Sequence, residues 1–384
     1  MTVYPLTGAI RAYAWGSRTA IAQLQGRPAP SQGPEAELWL GAHPDDPSTV
    51  TGPDGPVSLA TLIADDPKGQ LGEHVATAFG ARLPYLLKVL AADAPLSLQA
   101  HPDPEYAREA YARQEADPSL PKNYTDAHHK PEMLVALTPF EALCGFRRPG
   151  VSADAIEAFA VPALAPVVAA LRDGDLRTAV QTLLTWPVDG RTALTDAIRA
   201  NGSSALATHL ASLYPGDPGV LVALLLNHVR LEPGQAIWMP AGNMHAYLRG
   251  AGVELMAASD NVLRGGLTAK RVDVAELLKV LRFEVLDDPI LPAVPVSPGV
   301  VTWSVPVPDF ALCRIEVDGT RPPVEVPATG PRIVLGTAGD VFVGESRDGT
   351  PVEVRSGGAA YAPADAGPIK VAGTGQVFVA AVPA

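Results

Sequence analysis

The sequence has little cysteine, only Cys144 and Cys313 among 384 residues. The two are far apart and lack metal-motif spacing. That excludes a disulfide framework and a thiolate zinc site, and both read as small buried hydrophobes. Charge is also scarce, at 18% of residues, and the net balance of −12 contains no block of one sign. A general nucleic-acid binder or a protein of anionic membranes needs a basic footprint, which is missing here. Long apolar runs are absent as well. The stretch Val220 to Leu226 is among the longest, far short of the roughly 20 residues of a membrane span. Met1 to Gly16 carries Arg11 and several polar residues where a secretory signal needs apolar ones. The expectation is a soluble, cytoplasmic, monomeric chain, with no nucleic-acid or membrane partner. Any positive contacts to an anionic small substrate would have to be local.

What the sequence does have is punctuation. Its 39 prolines and 35 glycines are spread throughout, as in proteins built from many short strands. Apolar residues reach 47%, enough for a sizeable core. Residues 1–150 are mixed, with turn-rich segments around the apolar stretch Leu83 to Ala100. Residues 151–215 read as helical, dominated by Ala, Leu and Asp. Strand patterns return over 216–287, followed by one helix near Asp273 to Leu281, where Asp273 and Glu276 have capping-box spacing. Residues 288–384 are rich in Pro, Gly and Val and suggest a separate small β-domain. The fold class is mainly β, with the first and third zones forming one unit interrupted by a helical insertion.

Three segments carry candidate chemistry. In Leu96-Ser97-Leu98-Gln99-Ala100-His101, strand alternation places Ser97, Gln99 and His101 on one face. Taken alone, such a face points to solvent before it points to a cavity. In His129-Lys130-Pro131-Glu132-Met133-Leu134, Lys130 and Glu132 share a face with apolar Leu134 and Ala136. That fits a pocket, or a strand end emerging into water. In the third segment, Pro233-Gly234 and Pro240-Ala241-Gly242 bracket a short apolar strand. His245 then opens the next strand and faces inward. A turn at Arg249 to Gly252 would reverse the chain and set Tyr247 opposite Glu254. Gln99, His101, Glu132 and His245 together supply two imidazoles, a carboxylate and an amide carbonyl, a set suited to zinc or another first-row divalent ion. Arg264, beside Gly265 and Gly266, could reach an anion, although an Arg-Gly-Gly loop is weak evidence by itself, and Lys270 reads equally as a surface lysine.

The segments SLQAHPD at 97–103, HKPEMLVALTPFEALCGFR at 129–147 and PAGNMHAYLRGAGVELMAASDNVLRGGLTAK at 240–270 closely resemble the signatures of class I mannose-6-phosphate isomerases. YAWGS at 13–17, AELWLGAHP at 36–44 and LPYLLKVLAADAPLSLQAHPD at 83–103 resemble that family too. The resemblance implies a cupin-type jelly-roll β-sandwich with a helical insertion and a C-terminal β-domain. It places one zinc ion per chain on Gln99, His101, Glu132 and His245, and the catalytic arginine on Arg264. The lysine before Pro-Glu becomes Lys130, and Glu254, Tyr247, Lys270 and Ser97 match residues that line the family's active site. Two positions depart from the pattern. Pro104 stands where the family usually has lysine, removing a positive charge near the pocket mouth, and Ala269 stands where it commonly has proline.

The implied reaction interconverts mannose 6-phosphate and fructose 6-phosphate by moving a proton between C2 and C1 through a cis-enediol. Glu254, Lys130 and His129 are each candidates for the base. Arg264 and Lys270 would hold phosphate or steady charge on the sugar oxygens. Two rival readings remain, an isomerase of another aldose and a non-catalytic sugar-binding cupin. The first draws on Pro104; the second sits poorly with the retention of Glu132, His245 and Arg264.

Overall fold

A strand that is apolar on both faces has to be covered on both, and Tyr85–Ala92, with the sequence YLLKVLAA, is buried at every residue. A computed structural model describes residues 3–345 and 350–383 of the chain. The residues of interest lie on or just beyond seven strands: β1 (Glu37–Gly41), β2 (Tyr85–Ala92), β3 (Leu98–Ala100), β4 (Glu132–Ala136), β5 (Phe140–Phe146), β6 (His245–Ala257) and β7 (Leu263–Gly266). All belong to one 11-stranded antiparallel sheet folded into two leaves, the sandwich that the sequence predicts. One leaf contains β4, β6, β2 and β1 in that order, and the other contains β5, β6, β3 and β7.

Strand β6 is shared by both leaves. Its residues 245–249 pair with β3 and β5, and residues 250–257 pair with β2 and β4. The expected reversal at Arg249 to Gly252 is therefore absent. The strand instead runs on through a register shift between Tyr247 and Arg249 and past Gly250. That glycine has φ +119°, and an added Cβ there would lie 2.7 Å from the Pro139 carbonyl oxygen. An irregularity of this kind bends a strand and re-aims its side chains.

Apolar contacts fix the stacking. Behind the first leaf, Leu87, Val89, Val253 and Leu255 pack with Ile333, Leu335, Tyr361 and Phe378 of a second sheet. Behind the other leaf, Leu98, Ala100, Ala246 and Leu263 pack with Ile156, Val180, Leu183 and Ile198 from a block of helices between Pro149 and Leu213. Each such Val, Leu, Ile or Phe side chain contributes roughly 1.5–3 kcal/mol on full burial. Within the block, Asp175 and Ser204 cap helices by accepting from the amides of Thr178 and Ala207. The later helix, Val274–Val280, is capped by Asp273 through the Glu276 amide. The Glu276 side chain does not reach back; it accepts from the phenols of Tyr106 and Tyr124 instead.

The second sheet also has 11 strands, and its hydrogen bonds cross the boundary at residue 288. Tyr4–Thr7 pairs with Ala359–Ala362 and continues through Thr49–Gly52 to Gly55–Ser58, while Ile290–Leu291 pairs with Ala236–Met239 of the first sheet. Among the described residues, no helix is long and apolar enough to cross a membrane.

Candidate active site and metal centre

Cross-strand register lays out the site. On one leaf His245 is opposite Gln99, and Gln99 is opposite Arg264, giving a row across β6, β3 and β7. On the other, Trp39, Lys88, Glu254 and Leu134 form a row across β1, β2, β6 and β4. Glu132 lies two residues along β4 from Leu134, on the same face. A cavity of about 1030 Å³ opens between these walls, lined in part by Ser97, Gln99, Lys88, Lys130, Asp260, Arg264 and Lys270. The polar face of Ser97, Gln99 and His101 thus looks inward rather than to solvent, and His101 is buried.

Buried behind Gln99 and Lys130 of the cavity wall, His101, Glu132 and His245 bring one donor atom each within 4.8 Å of one another. His101 Nε2 is 3.5 Å from Glu132 Oε1, and His245 Nε2 is 3.1 Å from Oε2. The other ring nitrogens face carbonyls: His101 Nδ1 lies 2.7 Å from the Asn261 oxygen and His245 Nδ1 lies 3.0 Å from that of Asn243. A carbonyl only accepts, so each Nδ1 carries a proton, and in the neutral ring Nε2 turns a lone pair toward the carboxylate. His101 Nε2 and Glu132 Oε2 consequently have no hydrogen-bond partner despite full burial. Leaving such groups unmatched costs about 1–3 kcal/mol each, and a shared cation would remove that cost. The carbonyl partners on Nδ1 are the second contacts that orient metal-ligating histidines.

The titration of these groups suits the same conclusion. Burial pushes the His101 ring down to about 4, against the pull of Glu132, so the ring is neutral at pH 7. Burial opposes the Glu132 charge, but the Lys130 ammonium beside it holds its carboxyl well below the usual range. Gln99 Nε2 is 3.3 Å from His245 Nε2, and turning the amide over would present its carbonyl oxygen to the same centre. Two imidazoles, a carboxylate and an amide oxygen fit a divalent ion.

Two of the lysines that face the cavity are buried, each backed by a carboxylate. Lys130 Nζ is 3.2 Å from Glu132 Oε1. Lys88 Nζ is 3.4 Å from Glu254 Oε2 and 3.6 Å from Glu37 Oε1. Tyr247 donates to Glu254 Oε1 at 2.6 Å, so these two side chains do meet, through the bend in β6. Neither lines the cavity: both are buried, with Lys88 between Glu254 and the open space. Burial, opposed by Lys88, raises the Glu254 carboxyl above its ordinary value.

Arg264 is half-buried, and burial lowers its pKa, with no carboxylate among the described residues acting on it. Lys270 lines the same end beside Lys122 and Arg271, which are tied to Glu115 and Asp273 at 2.8 Å each. Pro104 has a structural role as the first residue of helix Pro104–Ala116, behind the capping Asp103, and it does not line the cavity. His129 points to Asp309, with Nε2 2.8 Å from Oδ2, and it too stays outside the lining.

Three charged residues of the site were not singled out in the sequence. Lys88 interrupts an otherwise apolar strand, which is a usable signal, because a lysine in such a place is rarely buried unless paired. Glu37 and Asp260 gave no comparable signal. Asp260 lines the cavity with Oδ2 3.2 Å from His43 Nε2.

Residues 3–149 match the family model of the phosphomannose isomerase type I catalytic domain. The mannose-6-phosphate isomerase of Salmonella typhimurium is 34% identical over 386 aligned residues, covering 97% of each chain. That of Homo sapiens is 32% identical over 404, covering 94% of this chain and 93% of its own. A crystal structure of a zinc-bound mannose 6-phosphate isomerase superposes with a TM-score of 0.91 at 31% identity, covering all of both chains.

Proposed function

We propose how this cavity works from one premise: the chain belongs to the type I phosphomannose isomerase family. The reaction is the reversible conversion of mannose 6-phosphate to fructose 6-phosphate. The observation that carries the reading is a cavity whose wall residues Gln99 and Lys130 adjoin buried, unmatched donor atoms, with Arg264, which has no acidic partner among the described residues, on the same wall.

Gln99, His101, Glu132 and His245 would hold one zinc ion per chain, which when bound supplies Lewis-acid polarisation of the sugar oxygens. Arg264 and Lys270 take the phosphate, the guanidinium by paired donors and the ammonium as a point charge. Ser97 bonds a sugar hydroxyl. Lys130 Nζ carries the proton between C2 and C1 and needs its neutral form to accept it. Glu254, held by Tyr247, acts through Lys88 and keeps that ammonium beside the oxygens where charge builds up in the enediol. The catalytic unit is read as residues 1–150 and 216–287, interrupted by the insertion at 151–215 and braced by 288–384. A cytoplasmic monomer is in keeping with a site drawn from one chain.

The test is a coupled assay of the zinc-loaded protein with mannose 6-phosphate beside unphosphorylated mannose. The expected preference for the phosphate in kcat/KM is at least about a hundredfold, the scale of a lost charged contact. Equal turnover of mannose would favour an isomerase of another aldose. Binding without turnover would favour a sugar-binding cupin.

A further inference from the structure

The Lys88 ammonium lies between two carboxylates, and only Glu254 has so far been given a part. The other, Glu37, is buried and borders the same cavity. Its Oε2 accepts from Trp39 Nε1 at 2.7 Å, and its Oε1 faces Lys88 Nζ at 3.6 Å. In the register of β1 on β2, Trp39 is opposite Lys88 and Glu37 is one pleat along. The Trp39 ring lies 5.2 Å from the same ammonium. Arg11 is directly opposite Glu37 in the next strand, but its guanidinium pairs with Asp46 at 2.9 Å. Lys88 is thus the counter-ion of Glu37.

We propose that Glu37 is a positioning residue for the isomerisation: its carboxylate, clamped by the Trp39 indole, aims the Lys88 ammonium into the cavity. The proposal rests on the reading of Lys88 given above. The two carboxylates stand on the strands either side of β2. With Glu254 alone, the ammonium would be drawn toward β6 and Tyr247, away from the substrate; with both, it is balanced on its own strand. Glu37 also keeps the charge in place. Burial favours loss of the proton, but Glu37 first, then Glu254, and at longer range Glu132 and Asp260, outweigh it, and the net shift is upward.

Glu37→Gln keeps the shape and the bond to Trp39 but removes the charge. In the zinc-loaded enzyme, kcat should fall at least about tenfold while KM changes less than about threefold. The alkaline limb of the kcat profile should move to lower pH by about half a unit or more. Zinc content should stay at the wild-type level. Glu37→Asp, which restores the charge at a longer reach, should return the alkaline limb and recover part of kcat. A merely structural role would lower the melting temperature and leave the pH profile alone, and that result overturns the proposal. Lys88→Met separates the two readings. If it retains full activity, the part given to Lys88 is wrong. If it is inactive while folded Glu37→Gln keeps normal kcat and an unmoved limb, only the role of Glu37 fails. Should Glu37→Gln not fold, Glu37→Asp decides, and an undiminished kcat there overturns the proposal.

Discussion

The two 11-stranded sheets are built from the same kind of strand and enclose opposite interiors. The first holds Lys88, Lys130, Glu132, Glu254, His101 and His245 between its leaves, all buried. The second holds Val334, Val341, Val343, Val371 and Val377. A buried arginine there, Arg332, donates to the carbonyls of Gly367 and Pro363 at 2.7 and 2.8 Å. Charges brought out of water are seldom a net gain for stability, even when paired. The first sheet therefore carries a destabilising interior for the sake of its chemistry, and the apolar second sheet, packed against its back, offsets that cost.

Paired substitutions test this division most strongly. His245→Ala in the first sheet should remove the metal and lower turnover at least about a thousandfold, about 4 kcal/mol of barrier. Ile333→Ala in the second should cost about 2–5 kcal/mol of stability and leave turnover and zinc per folded molecule unchanged. Zinc retained by His245→Ala in elemental analysis, or kcat lost by folded Ile333→Ala, would break the contrast.

Acid should find the first sheet before the second. In metal-free protein the folded-state pKa of His101 is about 4, below the roughly 6.5 of an unfolded histidine. Between those values the unfolded chain binds a proton that the folded chain refuses, so stability falls as pH drops from about 6.5 to 4. The loss is on the order of 3 kcal/mol. Glu132, whose folded pKa is also depressed, adds to it at lower pH. Urea unfolding of chelator-treated protein at pH 7 and pH 4.5 measures the effect, and equal stabilities would contradict a neutral buried His101.

Arg264 sharpens the contrast within the site. Arg264→Ala should leave zinc content and melting temperature nearly unchanged and lower kcat/KM at least about a hundredfold, roughly 2.7 kcal/mol. Arg264→Lys should recover part of that, keeping the charge without the two-pronged donor. Near-normal kinetics for Arg264→Ala would move the phosphate to Lys130 and Lys270.

Much of the first sheet was legible because its groups fall in short contiguous frames. Alternation puts Gln99 with His101 and Lys130 with Glu132, and turn chemistry frames His245, but whether those faces meet solvent or a cavity was left open by the pattern and supplied by the resemblance of these frames to the family's signatures. What stayed hidden depends on distant partners. Glu37 becomes informative only once β1 lies beside β2. The contact of Tyr247 with Glu254 was expected from a hairpin, yet it arises from a bend at Gly250, which local sequence does not distinguish from a turn. Tyr4–Thr7 in the second sheet is a four-residue piece near the N-terminus, paired with residues more than 300 positions away, and nothing in its patterning names that partner.

The smallest effect is expected in the helical block, which touches the site from behind and reaches the cavity wall at its end, through Tyr214. Its helices pack apolar side chains against Leu98, Ala246 and Leu263, on the faces of β3, β6 and β7 turned away from the cavity. Arg172 is on the outer side of this block, pairing with Asp154 at 2.6 Å and Glu157 at 2.9 Å, and all three side chains are substantially exposed. Ion pairs in water are screened and carry an entropy cost for holding long side chains still, so this one adds little. Arg172→Ala should keep kcat with mannose 6-phosphate within a factor of about two and the melting temperature within about two degrees. Any difference should shrink further in high salt, where a screened pair has nothing left to lose. A loss of turnover beyond about tenfold in folded, zinc-loaded Arg172→Ala could not come from the pair itself. It would mean that the helices set the geometry of β3 and β6 from behind, and the block would then have to be counted as part of the active site.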